Sequence, residues 1–315
     1  MLEYSLRRII GTIPVILGIL LITFVVLYLI PGNPAETLAG PRASAEVIEG
    51  IAKEMGLDKP IHERFLSYIG KIISGDLGRS VLDDRPVFKS ILERFPYTLK
   101  LSLLAMLFSI IVGLTAGIAG AVNRKNLMDK ICTIFTVLGI SIPIFLSGLI
   151  FLYVFASKLK WFPTSTFNAE GGLTPLILPA FTLGIRSGAF LARIVRSSLV
   201  EVLNQDYIRT ARAKGLSPSR ILVRHALVNA LIPIITVVGL DLSSFLNGSV
   251  IVETIFDIPG LGRFAMDAIL KRDYPVIQGI VLFSAFIFVF MNLVIDLLYA
   301  WINPKIRDEI IGKAV

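Results

Sequence analysis

The sequence predicts an all-α, polytopic membrane protein that crosses the bilayer about six times. Hydrophobic residues make up 55% of the 315 residues and charged residues only 17%, whereas a soluble domain carries about 25% charged residues. The mean hydropathy is +0.78. The apolar residues gather in stretches of about 20, the length that one membrane-spanning helix requires. Because a water-soluble fold could not bury this much apolar surface, lipid is the expected solvent.

The first apolar stretch, residues 9–30, follows Arg7 and Arg8 and could be mistaken for a secretory signal. The apolar region of a signal peptide is about 7–15 residues long, and this stretch is longer. We therefore expect a retained first membrane helix. The segment 31–98 that follows contains apolar residues at helical spacing, with Gly56 and Pro60 as interruptions. It predicts a small helical unit on the outer membrane face.

Five further apolar stretches are expected to span the membrane. They cover residues 99–122, 131–156, 176–195, 231–252 and 276–301. Gly113 and Gly117 in the second span form a G-x-x-x-G pattern, which predicts a close helix-packing seam. Pro143 predicts a kink in the third span. The fourth and fifth spans are interrupted by Arg186 and Asp241, respectively.

Basic residues indicate the orientation, since they gather on the cytoplasmic side of membrane proteins. They cluster at the N-terminus, in residues 123–130, in residues 196–229 and in the tail 305–315. Both termini are therefore expected on the cytoplasmic side. The membrane itself is expected to be the cytoplasmic (inner) membrane of the cell. The net charge of +8 then reflects topology and membrane lipid rather than a nucleic-acid partner.

Motifs of catalysis or nucleotide binding are absent from the sequence. Neither Gly70-Lys71 nor Gly312-Lys313 is followed by the Ser or Thr that a phosphate-binding loop requires. There is one cysteine, Cys132, and the only two histidines, His62 and His225, are far apart in sequence. We expect no catalytic residues, no metal site and no bound cofactor. A membrane enzyme is the least supported class.

The predicted cytoplasmic loop 196–229 carries the most specific signal. Its sequence predicts a helix capped by Asp206 and ended by Gly215 in a left-handed conformation. Ser217 followed by Pro218 predicts the start of a second helix. Taken alone, this pattern fits a basic helical hairpin on a membrane surface equally well.

The stretch "DYIRTARAKGL" within this loop resembles the coupling motif of binding-protein-dependent ABC importer permeases, summarised as E-A-A, three residues, then Gly. Ala211 and Gly215 match that pattern, while Arg209 and Thr210 depart from it. With these departures, the stretch resembles the form of the motif found in the dipeptide, oligopeptide and nickel branch of the family. "GDLGRS", "RFPYTLKLS", "IVETIFDIPGLGRFAMDAILKRDYPVIQG" and "INPKIR" also resemble that branch, in order along nearly the whole chain.

The resemblance implies a type I ABC importer transmembrane fold. It places a first helix and external segment in residues 1–94, a five-helix core in residues 95–304 and a cytoplasmic tail in residues 305–315. It also implies a second permease subunit, two cytoplasmic ATPase subunits that bind ATP and Mg²⁺, and an external solute-binding protein. The implied ATPase-coupling residues are Tyr207, Arg209, Thr210, Ala211, Ala213, Lys214, Gly215 and Leu216.

Four polar residues are candidates for the substrate pathway. Arg186 and Asp241 are expected at similar depth, because the two spans run in opposite directions, and we hypothesise that they pair. The pair either lines the pathway or joins the helices. Asn247 and Glu253 either meet substrate or contact neighbouring elements.

The branch implies peptides as substrates, with nickel, nickel chelates or oligosaccharides as alternatives. A channel or secondary transporter that works without ATPase subunits is the rival from another class.

Overall fold

The computed structural model describes residues 2–29, 35, 39–40, 43–54, 56, 58–164 and 172–302. Within those residues the regular structure is helical, apart from one antiparallel bridge between Arg79 and Pro86. The predicted cytoplasmic tail, residues 305–315, lies outside the described residues. The helices are α1 Leu2–Leu29, α2 Ala45–Glu54, α3 Ile61–Ile73, α4 Val87–Val122, α5 Leu127–Ser141, α6 Ile144–Lys158, α7 Thr174–Leu203, α8 Asp206–Ala213, α9 Pro218–Leu246, α10 Val250–Ile255, α11 Leu261–Lys271 and α12 Tyr274–Ile302. The last seven residues of α6 and the turn Ile221–Leu227 of α9 are π-helical.

Four of the described helices are long and apolar enough to span a membrane, namely α4, α7, α9 and α12. The bent pair α5 and α6 makes a fifth if it counts as one span. The apolar part of α1, Gly11–Val25, is shorter than the others. Several helices that could span a membrane are thus present. The count of six and the cytoplasmic placement of both termini stay predictions.

The third predicted span bends at Pro143 as predicted, but too sharply to be one kinked helix. Residues 131–156 are split between α5 and α6, whose axes meet at 103°. Ile142 is extended, with φ −74° and ψ 124°, and Pro143 is the N-cap residue directly before α6. A proline lacks the N–H that continues a helix and forces its predecessor out of the helical region. The chain therefore turns sharply at this point.

The fifth predicted span ends too late. Helix α9 stops at Leu246, and the chain turns through Gly248, whose φ is +90°. A side chain on Gly248 would meet the backbone nitrogen of Gly262 at 2.5 Å, so the turn packs directly on the start of α11. Val252 belongs to the separate helix α10 rather than to the span.

The second span begins earlier in the chain than the predicted residue 99. Helix α4 starts at Val87 and is continuous to Val122, so the predicted boundary between residues 94 and 95 falls inside it. Its first turns carry charged residues, but Val87 and Ile91 are fully buried against α11 and α12. That segment packs on protein, which an apolar window does not detect.

The external segment is helical where its spacing predicts helices, in α2 and α3. Helix α1 packs along α12, and its Phe24 lies against Phe65 and Tyr68 of α3, with ring centroids 5.3 and 5.8 Å apart. The first helix and the external segment therefore contact each other beside the helical core.

Helices α4 and α7 form the most extensive helix pair of the core. The glycine seam predicted in α4 is confirmed, since side chains at Gly113 and Gly117 would meet Leu191 and Val195 at 2.6 Å. Helix α7 also contributes glycine to this contact. A side chain on its Gly184 would lie 2.4 Å from a backbone oxygen of α4. Small residues on both helices allow the two backbones to approach closely.

Candidate functional site

Helix α8 forms the short element predicted in the loop between α7 and α9. It has eight residues, Asp206–Ala213, and the preceding residue Gln205 is extended. The prediction that Asp206 caps the helix is wrong by one position, because Asp206 already lies in the first turn. Its carboxylate accepts a hydrogen bond from the Arg209 guanidinium at 3.1 Å. An acidic residue in the first turn still stabilises the helix, because its negative charge interacts favourably with the positive end of the helix dipole.

One face of α8 is buried. Ile208 and Ala211 pack against Ile221 of α9 in a small apolar cluster that Leu203 and Leu216 border. Ala211 is only 7% exposed. Of the eight predicted coupling residues, Ala211 therefore holds the helix onto α9, and Leu216 is half-buried.

The other six predicted coupling residues are exposed. They are Tyr207, Arg209, Thr210, Ala213, Lys214 and Gly215. Together with the exposed Arg212 they form the surface that we call the α8 outer face. Its three basic side chains outnumber the single carboxylate of Asp206.

Gly215 ends the helix as the sequence predicts, with φ +76°. Its N–H donates to the carbonyl of Arg212 at 2.9 Å, and the N–H of Leu216 donates to the carbonyl of Ala211 at 3.3 Å. These two hydrogen bonds are those of a Schellman motif. No atom lies within 4 Å of the position that a side chain on Gly215 would take. Backbone conformation, rather than space, therefore requires glycine.

The second helix begins at Pro218 after an extended Ser217, as predicted, although the Ser217 hydroxyl makes no capping hydrogen bond. It is not a separate surface helix. It continues through the π-helical turn into α9 as one candidate span, Pro218–Leu246. Helix α8 is therefore fixed to the end of a membrane helix through one short turn.

An ion pair that the sequence analysis missed fastens the neighbouring loop. Arg196, near the end of α7, donates to both carboxylate oxygens of Asp129 at 2.6 and 2.9 Å. The backbone N–H of Lys125 donates to the same carboxylate at 3.0 Å. The sequence assigned Arg196 only to the topology signal, because the two partners are 67 positions apart. The pair holds α5 against the end of α7 that leads to α8.

A cavity of about 470 Å³ lies between α7 and α9. It is lined by Arg186, Ser187, Phe190, Asp241, Ser244 and Phe245, by Ile140, Ile144 and Leu183, and by residues 248–251. The structure thus brings Arg186 and Asp241, which were predicted to lie at similar depth, to one cavity. It does not join them, since no ion pair links them in the described part of the chain.

The polar groups around this cavity have unused hydrogen-bonding capacity. The Oδ2 atom of Asp241 is buried without a hydrogen-bond donor among the described residues. The Oδ1 atom of Asn247 and the hydroxyl of Ser243 are in the same situation, although neither residue lines the cavity. Ser187 lies beside the Asp241 carboxylate. Arg186 is exposed at the cavity wall.

Glu253 does not line the cavity. Its side chain is 0% exposed, and its carboxylate accepts hydrogen bonds from the Thr98 hydroxyl at 3.0 Å and the backbone N–H of Arg263 at 2.9 Å. Thr98 in turn accepts from the N–H of Leu261 at 2.8 Å. Burial raises the pKa of this carboxyl, which lies outside the candidate spans, while its hydrogen-bond donors act in the opposite direction. Glu253 joins α10, α11 and α4.

In the described ranges, no group of three or more His, Cys, Asp or Glu side chains is arranged to hold a metal ion. The features with functional geometry are therefore the α8 outer face and the cavity between α7 and α9.

Both features occur in a chain with clear relatives. Residues 109–308 match the family described as binding-protein-dependent transport system inner membrane component, and residues 1–102 match its N-terminal companion family. The chain belongs to this family. It is a permease subunit of an ABC importer in the inner membrane, and it is a transport component rather than a catalytic enzyme.

Curated relatives match over nearly the whole chain. The "Glutathione transport system permease protein GsiC" of Salmonella choleraesuis (strain SC-B67) is 43% identical over 307 residues, covering 98% of this chain and 99% of the relative. The protein of the same name from Escherichia coli (strain K12) is 42% identical over the same length. These relatives belong to the dipeptide, oligopeptide and nickel branch that the sequence motifs resemble.

A solved structure shares the fold. The inward-facing MetNI methionine ABC transporter superposes with a TM-score of 0.57 at 15% identity, covering 68% of this chain and 96% of that chain. The shared part of the chain therefore has the fold of a type I ABC importer permease.

Proposed function

We propose that this ABC importer permease carries small peptides into the cell and that α8 receives the driving force from an ATPase subunit. The observation that carries the proposal is the geometry of α8. One face is anchored to α9 by Ile208 and Ala211, while the α8 outer face is exposed. The α8 outer face is thus available to a partner while the helix stays attached to the core.

The attachment of α8 makes it suited to transmit a rigid-body motion. It lies between the ends of α7 and α9, which both line the cavity. The Asp129–Arg196 ion pair adds α5 to the same body. A displacement of α8 would therefore move the cavity walls together, because packed helices shift as units rather than deform continuously.

The charge of the α8 outer face defines the docking partner. Arg209, Arg212 and Lys214 are exposed, and of these only Arg209 is engaged with Asp206. A groove with acidic side chains on an ATPase subunit would complement this face. Tyr207 is 44% exposed and offers an aromatic anchor, a side chain enriched at binding hot spots.

The complete importer would contain this chain, a second permease subunit, two ATPase subunits and an external solute-binding protein. ATP and Mg²⁺ would bind to the ATPase subunits, since this sequence has no phosphate-binding loop. Closure of the ATPase subunits on ATP would rock the two permeases between inward-open and outward-open states.

Peptides are the proposed substrates because of the relatives. Glutathione, which names the transport system of the 43% identical relative, is a tripeptide. The near-complete coverage of both chains makes a shared substrate class the simplest expectation.

Purification of the assembled importer tests this function. A tag on this chain is expected to recover two copies of an ATPase subunit, and proteoliposomes are expected to accumulate glutathione or a dipeptide only with ATP and the binding protein. Thr210→Trp, on the α8 outer face, should abolish recovery of the ATPase, because the ring would obstruct docking. Ser197→Trp, at an exposed position of α7 outside the α8 outer face, is the control and should leave recovery unchanged. Uptake that proceeds without any ATPase subunit would refute the proposal.

A further inference from the structure

The cavity between α7 and α9 lies where two helices are interrupted. Pro143 breaks the path between α5 and α6, and the turn at Gly248 separates α9 from α10. Ile140 and Ile144, on either side of the first break, and Gly248 itself all line the cavity. Non-helical backbone within a membrane is tolerated where it is buried in protein or lines a water-filled space. Both interruptions open onto the same space.

Arg186 and Asp241 place one positive and one negative charge on this cavity, from α7 and α9 respectively. An ionised side chain at the centre of a bilayer costs about 3 kcal/mol on insertion scales, so such residues need a partner. These two form no ion pair in the described structure, and both line the open cavity. Both charged side chains can therefore interact with a solute that enters the cavity.

We propose that this cavity binds zwitterionic solutes during their passage, with Arg186 facing a carboxylate and Asp241 facing an ammonium group. The inference rests on the proposed function and names the chemical class that its pathway accepts. A free peptide has one charge of each sign at its two ends. The cavity volume of about 470 Å³ falls in the range of about 300–1,000 Å³ that small-molecule sites occupy.

The remaining walls also suit a peptide. Ser187 and Ser244 supply hydroxyl groups that can bond to a peptide amide, and Phe190 and Phe245 supply apolar surface for side chains. A metal cation would be attracted by Asp241 but repelled by Arg186, and a simple anion would meet the reverse. A neutral sugar would leave both charges unpaired. The paired opposite charges therefore favour a zwitterion over each of these classes.

Neutral isosteric variants in the assembled importer test the proposal. Arg186→Gln and Asp241→Asn are each expected to lower ATP-driven uptake of alanyl-alanine or glutathione roughly tenfold, the effect of losing one charge-assisted hydrogen bond. ATP hydrolysis and recovery of the partner subunits should persist. Lys100→Gln is the control, since Lys100 is exposed on α4 and does not line the cavity. Unchanged uptake in both variants overturns the proposal, as does loss of the second permease subunit, which would assign the charges to the subunit interface.

Labelling of the cavity provides a test that does not depend on these variants. Ser244→Cys would be introduced with Cys132→Ala, which removes the only natural thiol of this chain. Without binding protein, millimolar alanyl-alanine is expected to slow maleimide labelling at position 244, whereas N-acetyl-alanyl-alanine amide is not. Equal protection by the two compounds, or protection by neither, overturns the proposal. If instead the unmodified complex recovers no ATPase or transports no peptide, the proposed function itself fails.

Discussion

Gly215 shows how a single residue can matter through its backbone alone. Its φ of +76° lies in the left-handed region, which costs other L-residues about 1–2 kcal/mol. Because no atom lies within 4 Å of an added side chain, crowding plays no part. A substitution would change the angle at which α8 meets α9 while leaving the packed core untouched.

Gly215→Val is therefore expected to uncouple the importer. The Schellman hydrogen bonds would be lost, so uptake in proteoliposomes should fall at least about tenfold, while ATP hydrolysis and assembly remain. Parallel assays of uptake and phosphate release measure the ratio. Gly75→Val is the matched control, because Gly75 has φ +80° and equally open surroundings but lies far from α8 in sequence. A Gly215→Val protein that keeps the natural ratio of uptake to hydrolysis would refute the coupling role.

Glu253 is the residue at which sequence reasoning was least informative. A carboxylate near the expected end of a span could either meet substrate or contact neighbouring elements, and the side chain does the latter, fully buried and bonded to Thr98 and Arg263. Its partners are 155 and 10 positions away, so no local pattern reveals them. The glycines at 260 and 262 were the available signal, since side chains there would meet the Glu253 carboxylate at 2.5 and 3.0 Å.

At the scale of elements, the α4–α7 seam determines how closely the core helices approach. Gly184 of α7 faces the backbone of Ala105, where an added carbon would lie 2.4 Å from the carbonyl oxygen. The contacting atom belongs to the backbone, which cannot move away as a flexible side chain could. The seam is therefore intolerant of even one methyl group.

Gly184→Ala is expected to lower the thermal unfolding midpoint of the purified complex, since overpacking typically costs about 1–3 kcal/mol. Gly70→Ala serves as the control. Gly70 lies in the exposed part of α3 with nothing within 4 Å of the added carbon, so alanine should be neutral or stabilising by up to about 1 kcal/mol. Equal midpoints for the two variants would contradict the close packing of the seam.

The sequence predicted most elements, and the errors have a common physical cause. Hydropathy located the spans, and glycine and proline located the end of α8 and the start of α9. Hydropathy failed where a helix packs against protein instead of lipid, as in the charged first turns of α4. It also failed where a local break depends on distant contacts, as at Gly248 against Gly262. The Asp129–Arg196 pair was missed for the same reason.

At the scale of the whole molecule, the two functional features lie on the same helices. Helices α7 and α9 carry Arg186 and Asp241 in the core, and they flank α8 at their other ends. A force applied to α8 therefore acts on the cavity walls without any intermediate element. In the proposed function, the energy for this motion comes from an ATPase subunit.

Site-directed cross-linking tests the central claim most directly. Thr210→Cys would be placed on the α8 outer face in a Cys132→Ala background and treated with a thiol- and amine-reactive reagent in the assembled importer. We predict a covalent product with an ATPase subunit whose yield changes when ATP is bound, and no such product from Ser197→Cys. Absence of the product at position 210, or an equal yield at position 197, would contradict α8 as the site that receives the force.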